Sequence, residues 1–115
     1  MANTFYLKQG DTYPNITTQL MDELGPINLT GAEVVFRMSE TGIGNLLIEK
    51  PATVLTQTLQ DNWGKCYAEW EAGDTDVIGT YNAEWEVTFP SGKVATFPRG
   101  PETHFNKVII EADVD

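Results

Sequence analysis

One cysteine, one histidine, two serines and seven basic residues are all this 115-residue chain offers of the side chains on which most enzymes and nucleic-acid binders rely. A lone Cys66 cannot form an internal disulfide, nor by itself a cysteine-based zinc site. Seven Lys and Arg against 17 Asp and Glu give a formal charge of −10, which argues against nucleic acid or an anionic membrane as partner. No apolar run approaches the ~20 residues of a membrane span, and Met1-Ala2-Asn3-Thr4 is not the opening of a signal peptide. The length fits one domain, expected to span residues 1–115 without linkers or repeats.

Nucleophiles are as scarce. A Ser–His–acid group needs three side chains within hydrogen-bond reach, and His104 is the only histidine. Ser39 falls at the end of an alternating run and Ser91 in a turn; neither has the Gly-x-Ser-x-Gly surround of a nucleophile elbow. Cys66 shares a strand face with Ala68 and Trp70, the setting of a small buried hydrophobe. No catalytic residue is assigned, and the chain is not expected to be an enzyme.

What the chain does have is strand and turn chemistry: 14 Thr, 10 Gly, 6 Pro and 12 aromatics. From Tyr81 to Phe89, apolar Tyr81, Ala83, Trp85, Val87 and Phe89 alternate with Asn82, Glu84, Glu86 and Thr88. That period of two predicts a strand with one buried and one wet face. Ala32, Val34, Phe36 and Met38 form a second such face, Cys66, Ala68 and Trp70 a third, and Thr53 to Leu59 alternates less sharply. Further strands are expected at Phe5 to Leu7, Ile16 to Leu20, Lys93 to Phe97, and from near Phe105 to Ile110. Pro90-Ser91-Gly92 fits a tight hairpin. No long segment has a 3.6-residue period, and at most one helical turn is expected, at Gly73 to Val77.

About eight short strands at this spacing predict an all-β protein, an immunoglobulin-like antiparallel β-sandwich. Its core is expected to hold Phe36, Trp70, Tyr81, Trp85 and Val87. Asp76-x-x-Gly79-x-Tyr81 suggests a corner in which the Tyr81 hydroxyl reaches back to backbone near Gly73 to Asp76, with an ordinary core tyrosine as the alternative.

Other candidate sites are weak. Glu69 with Glu71 and Glu84 with Glu86 project from polar strand faces, and without basic neighbours they read as a solvated negative surface instead of an acid/base pair. Asp74 and Asp76 flank a loop but lack the ligand spacing of a calcium loop. Asn15-Ile16-Thr17 and Asn28-Leu29-Thr30 match the glycosylation acceptor pattern, which means nothing without a secretory route. Trp63 and Tyr67 are the candidates for an aromatic sugar platform. No cofactor-binding or metal-binding residue is assigned, and no cofactor is expected.

Motif order adds what composition cannot. The run Phe5-Tyr6-Leu7-Lys8-Gln9-Gly10-Asp11-Thr12 comes first, then Leu29-Thr30-Gly31-Ala32 leading into Val34-x-Phe36-x-Met38. Next come Gly64-x-x-Tyr67-x-x-Trp70, Asp74-Thr75 with Gly79-x-Tyr81-x-x-Glu84, and Thr96-Phe97-Pro98. From about residue 5 to 111 this layout resembles the N-terminal immunoglobulin-like domain of phage upper baseplate proteins.

The resemblance implies a structural protein of a phage or prophage virion, located in the tail and made in the bacterial host cytoplasm. The family's long C-terminal region lies outside these 115 residues, so a stand-alone adaptor, a tail-completion protein and a head or neck decoration all stay open. The implied partners are other virion proteins, in the tail, baseplate or neck, or further copies within a ring. The alternative is a carbohydrate-binding sandwich for host-surface glycans. In the docking reading the edges are expected at Phe5 to Gln9 and Phe105 to Glu111, because edge strands carry unpaired backbone groups.

Overall fold

The computed structural model describes residues 3–41, 45–97 and 105–113. These fold into strands β1 (Asn3–Lys8), β2 (Ile16–Gln19), β3 (Met21–Asp22), β4 (Gly25–Pro26), β5 (Glu33–Glu40), β6 (Leu46–Pro51), β7 (Thr53–Val54), β8 (Lys65–Ala68), β9 (Gly79–Thr88), β10 (Val94–Phe97) and β11 (Phe105–Glu111). A 3₁₀ turn at Gln60–Asn62 lies between β7 and β8. The turn expected at Gly73 to Val77 is present as two tight turns, closed by Asp74 N–H to Glu71 O and Asp76 N–H to Gly73 O.

β9 organises the larger sheet because its alternation is the cleanest in the chain. Tyr81, Ala83, Trp85 and Val87 point inward and are buried, while Glu84 and Glu86 stay on the outer face. On one side β9 pairs antiparallel with β5, from Glu33 opposite Thr88 to Glu40 opposite Tyr81. Its other side is shared: β10 takes Trp85 to Thr88, and β11 takes Gly79 to Asn82. β6 closes one margin on β5, and β1 closes the other on β11. The β1–β11 pair is parallel, so the expected all-antiparallel arrangement is corrected at that margin.

The smaller sheet has the order β2-β8-β7, with the short β3–β4 hairpin beside it. Side chains of both sheets meet in one core. Phe36 of the larger sheet packs 4.8 Å from Trp85 and edge-on, at 5.9 Å, against Trp70, which follows β8. Phe36, Trp70, Tyr81, Trp85 and Val87 are all buried, none more than 6% exposed. Each such side chain contributes about 1.5–3 kcal/mol on burial, before chain entropy is subtracted.

The two sheets share a strand. β6 pairs with β5, the chain kinks at Ala52, whose N–H donates to Val34 O, and β7 continues onto β8. The expected strand from Thr53 to Leu59 therefore ends at Val54. Beyond it Gln57 takes over: its Nε2 donates to Leu55 O and Asn62 O, and its Oε1 accepts from Leu29 N and Gly64 N. One side-chain amide satisfying four backbone groups offers this segment an alternative to a ladder. At the other hairpin, Pro90 leads a type I turn and Gly92, with φ +88°, supplies the left-handed residue before β10.

Candidate functional site

The chemistry-bearing side chains are dispersed and engaged in structure. Cys66 is buried on the inner face of β8, and desolvation pushes its thiol up to about 12. Ser39 lies at a bulge in the β5–β6 pairing, and Ser91 is in the β9–β10 turn, where its Oγ accepts from Lys93 N. His104 lies outside the described residues. Among the described residues no three His, Cys, Asp or Glu side chains converge as metal ligands. Asp74 is taken up otherwise: it accepts from Glu71 N and from the Lys50 ammonium.

Two of the four glutamates expected to lack basic neighbours have one: Glu71 lies 3.8 Å from Lys50 Nζ, and Glu86 meets Arg37. Arg37 of β5 reaches across the outer face to Glu86 and to Glu49 of β6. Arg37 Nη1 lies 3.1 Å from Glu86 Oε2 and Nη2 3.2 Å from Glu86 Oε1, while Nε donates to Glu49 at 2.6 Å. The hydrogen bond to Arg37 holds Glu86 below the usual carboxylate range, and the two glutamates raise the Arg37 pKa in return. Val35, Arg37, Glu49, Lys50 and Pro51 line an open recess of about 350 Å³ beside this pair. With Arg37 neutralised by two acids, the recess offers little charge to a ligand.

Lys50 is the feature sequence reading missed most completely. It sits on the inward side of edge strand β6, opposite Phe36. Its ammonium donates to Glu69 O at 2.9 Å and to Asp74, and lies 3.8 Å from Glu71. It thus ties the margin of the large sheet to the turn after β8. A lysine at an inward position breaks the local alternation, and that break was the available signal.

Trp63 and Tyr67 are both half-buried. The Trp63 indole N–H donates to Gln57 O, and Tyr67 stands on the outer face of the small sheet between Thr17 and Thr53. The corner hydrogen bond from Tyr81 exists, but one residue beyond the expected window: its hydroxyl donates to Val77 O at 2.7 Å.

The sheet margins are the surfaces left to consider. β11 is not an edge, because β1 covers it on one side and β9 on the other; that expectation is overturned. β1 is the outermost strand, as expected. β6, at the opposite margin, ends in Pro51, carries a bulge in its pairing with β5 and points Lys50 inward, three devices that blunt an edge. β7 has two residues, and β2 and β10 have four each. β1 has six, without proline, with Lys8 as its one charged residue and Tyr6 59% exposed.

No family model and no curated protein matches the chain. Among solved structures, the crystal structure of CopC from Methylosinus trichosporium OB3b is similar over 97% of this chain and 87% of that chain. Its TM-score is 0.53 and its sequence identity 9%. The fold is an immunoglobulin-like β-sandwich. At that identity the likeness is one of fold and carries no ligand or role from one protein to the other.

Proposed function

We propose that this protein is a non-enzymatic structural component of a phage or prophage virion that works by docking onto other virion proteins, as a tail or baseplate adaptor. The observation that carries the docking half is β1, which matches β6 in length and is the least blunted margin of the sandwich, and so suits strand addition by a neighbouring chain. The virion half is supported by the ordered motifs from residue 5 to 111. The described residues of those motifs fall on strands and corners of the sandwich: Val34, Phe36 and Met38 line the core, and Gly79 and Tyr81 open β9, while Pro98 lies outside the described residues.

The charge of −10 is consistent with this role, because it steers the domain toward basic partner faces and away from packaged DNA. A ring arrangement would follow from the cyclic symmetry common to closed oligomers.

The test has two parts. Particles purified from the producing strain are searched for this chain by mass spectrometry, and the isolated protein is measured against recombinant tail, baseplate and neck proteins. Thr4→Lys with Tyr6→Lys, which charges the outer face of β1, should abolish complex formation while leaving the melting temperature within a few degrees. Absence from the particle, together with saturable glycan binding or hydrolase activity, would overturn the reading in favour of a sugar-binding module or an enzyme.

A further inference from the structure

At the end of the sandwich where β1 and β11 finish and β9 begins, two loops are bound to one another. Gly10 N–H donates to Thr75 O at 3.0 Å, and the buried Thr75 hydroxyl donates to Asp11 O at 2.7 Å. Gln9 Nε2 donates to Asp76 O at 2.8 Å, and the Trp70 indole donates to Pro14 O at 3.1 Å. Tyr81 secures the far side through Val77 O. Five hydrogen bonds, two of them from aromatic side chains rooted in the core, hold these loops in one conformation.

That rigid frame presents apolar side chains to water. Val77 and Ile78, adjacent in sequence, are 68% and 51% exposed, and Tyr13 on the companion loop is 83% exposed. A single exposed aliphatic residue needs no explanation, but neighbouring ones on an immobilised loop do. Binding through them orders almost nothing further, so little of the contact energy is lost to chain entropy.

The surround is acidic. Asp11 and Asp76 belong to the two loops, Glu111 ends β11 where its carbonyl accepts from Gln9 N, and Asp113 follows. Of the basic residues near these loops, Lys8 is 3.5 Å from the Glu111 carboxylate and Lys50 donates to Asp74, so both are paired with acids. An acidic rim repels a second copy of the chain and attracts a basic segment.

We propose that this end face, centred on Val77 and Ile78, docks a partner segment in which lysines or arginines flank apolar side chains. The inference rests on the docking role above but assigns a surface distinct from the outer edge of β1.

The probe is a random-peptide display library selected on the immobilised full chain, with recovered peptides resynthesised for titration. The expected peptides carry Lys or Arg around Leu, Ile, Phe or Trp. Their affinity should fall by about tenfold or more between low and high salt, as surface charge becomes screened. It should fall at least as far with Val77→Ser plus Ile78→Ser, and with the rim reversal Asp76→Lys plus Asp113→Lys, whose exposed side chains are not needed for folding. It should be unchanged by Thr4→Lys with Tyr6→Lys. Circular dichroism and thermal melting confirm that each variant is folded.

Failure to recover basic-apolar peptides overturns the proposal, as does binding indifferent to both end-face variants. Peptides lost only in the β1 variant overturn it while leaving the docking role intact. A dimer seen in sedimentation equilibrium and dissolved by Val77→Ser plus Ile78→Ser would show that the occupant is a second copy, which also overturns it.

Discussion

Among the described residues, two buried polar side-chain atoms mark where this core departs from an apolar ideal. Thr18 Oγ1 and Trp85 Nε1 are buried without a hydrogen-bond partner. The indole comes with a ring packed at a tilt against Phe36, but the threonine hydroxyl contributes only its desolvation cost. Thr18→Val keeps the shape and removes that cost, so we expect a stability gain of about 0.5–2 kcal/mol in urea unfolding. Tyr81 is the opposite case, a hydroxyl with a partner. Val77 is an exposed residue whose carbonyl can turn to water, so Tyr81→Phe should cost about 1 kcal/mol, at the low end for such bonds. Cys66 gives a pH signature. Its thiol ionises near its ordinary value of 9.0 in the unfolded chain but only at about 12 when folded. The folded state therefore holds the proton more tightly across that window, and stability should fall as pH rises from 9 toward 12. A Cys66→Ala variant, compared by urea unfolding at several alkaline pH values, should lose that part of the slope.

At the scale of elements, backbone contacts decide what side-chain patterns only suggest. Gly64 closes the turn into β8 with φ +80°, and a Cβ there would sit 2.3 Å from Leu20 O. Its carbonyl also accepts from Leu20 N, so the two segments cannot separate to make room. Gly64→Ala should cost about 2–4 kcal/mol, combining left-handed strain with overpacking, and thermal melting would register it. The strands with one buried face, β5, β8 and β9, were legible in the sequence because alternation follows directly from that geometry. β6 was not. Leu46, Leu47 and Ile48 run together, Lys50 points inward, and the strand changes sheets at Ala52, so no single period describes it. Thr53 to Leu59 misled for the converse reason: it alternates, but Gln57 draws its backbone into a loop.

For the molecule as a whole, the inner surface was readable and the outer one less so. The core follows from solvent exclusion, which leaves a periodic trace. Recognition surfaces leave none, because Tyr13, Val77 and Ile78 lie in loops where exposure depends on hydrogen bonds between segments more than 60 residues apart. The position of β11 shows the same limit. Nothing in its composition says that the first strand lies alongside it, so it read as an edge.

That parallel contact between β1 and β11 has a mechanical side. The register runs from Asn3 beside Phe105 to Lys8 beside Glu111, so the first strand enters at one end of the domain and the last leaves at the other. Tension applied through the two strands therefore acts along the ladder, and its hydrogen bonds must give way together instead of one after another. A domain loaded in this way resists by its slow rate of rupture more than by its equilibrium stability. Single-molecule pulling on handles at Asn3 and Asp113 should meet a markedly higher force than pulling on handles at Glu86 and Thr96, which opens the β9–β10 hairpin toward its turn pair by pair. On the adaptor role proposed above, the domain would bear load along the line joining its first and last strands, a useful property in a particle that must grip a cell while its contents are expelled.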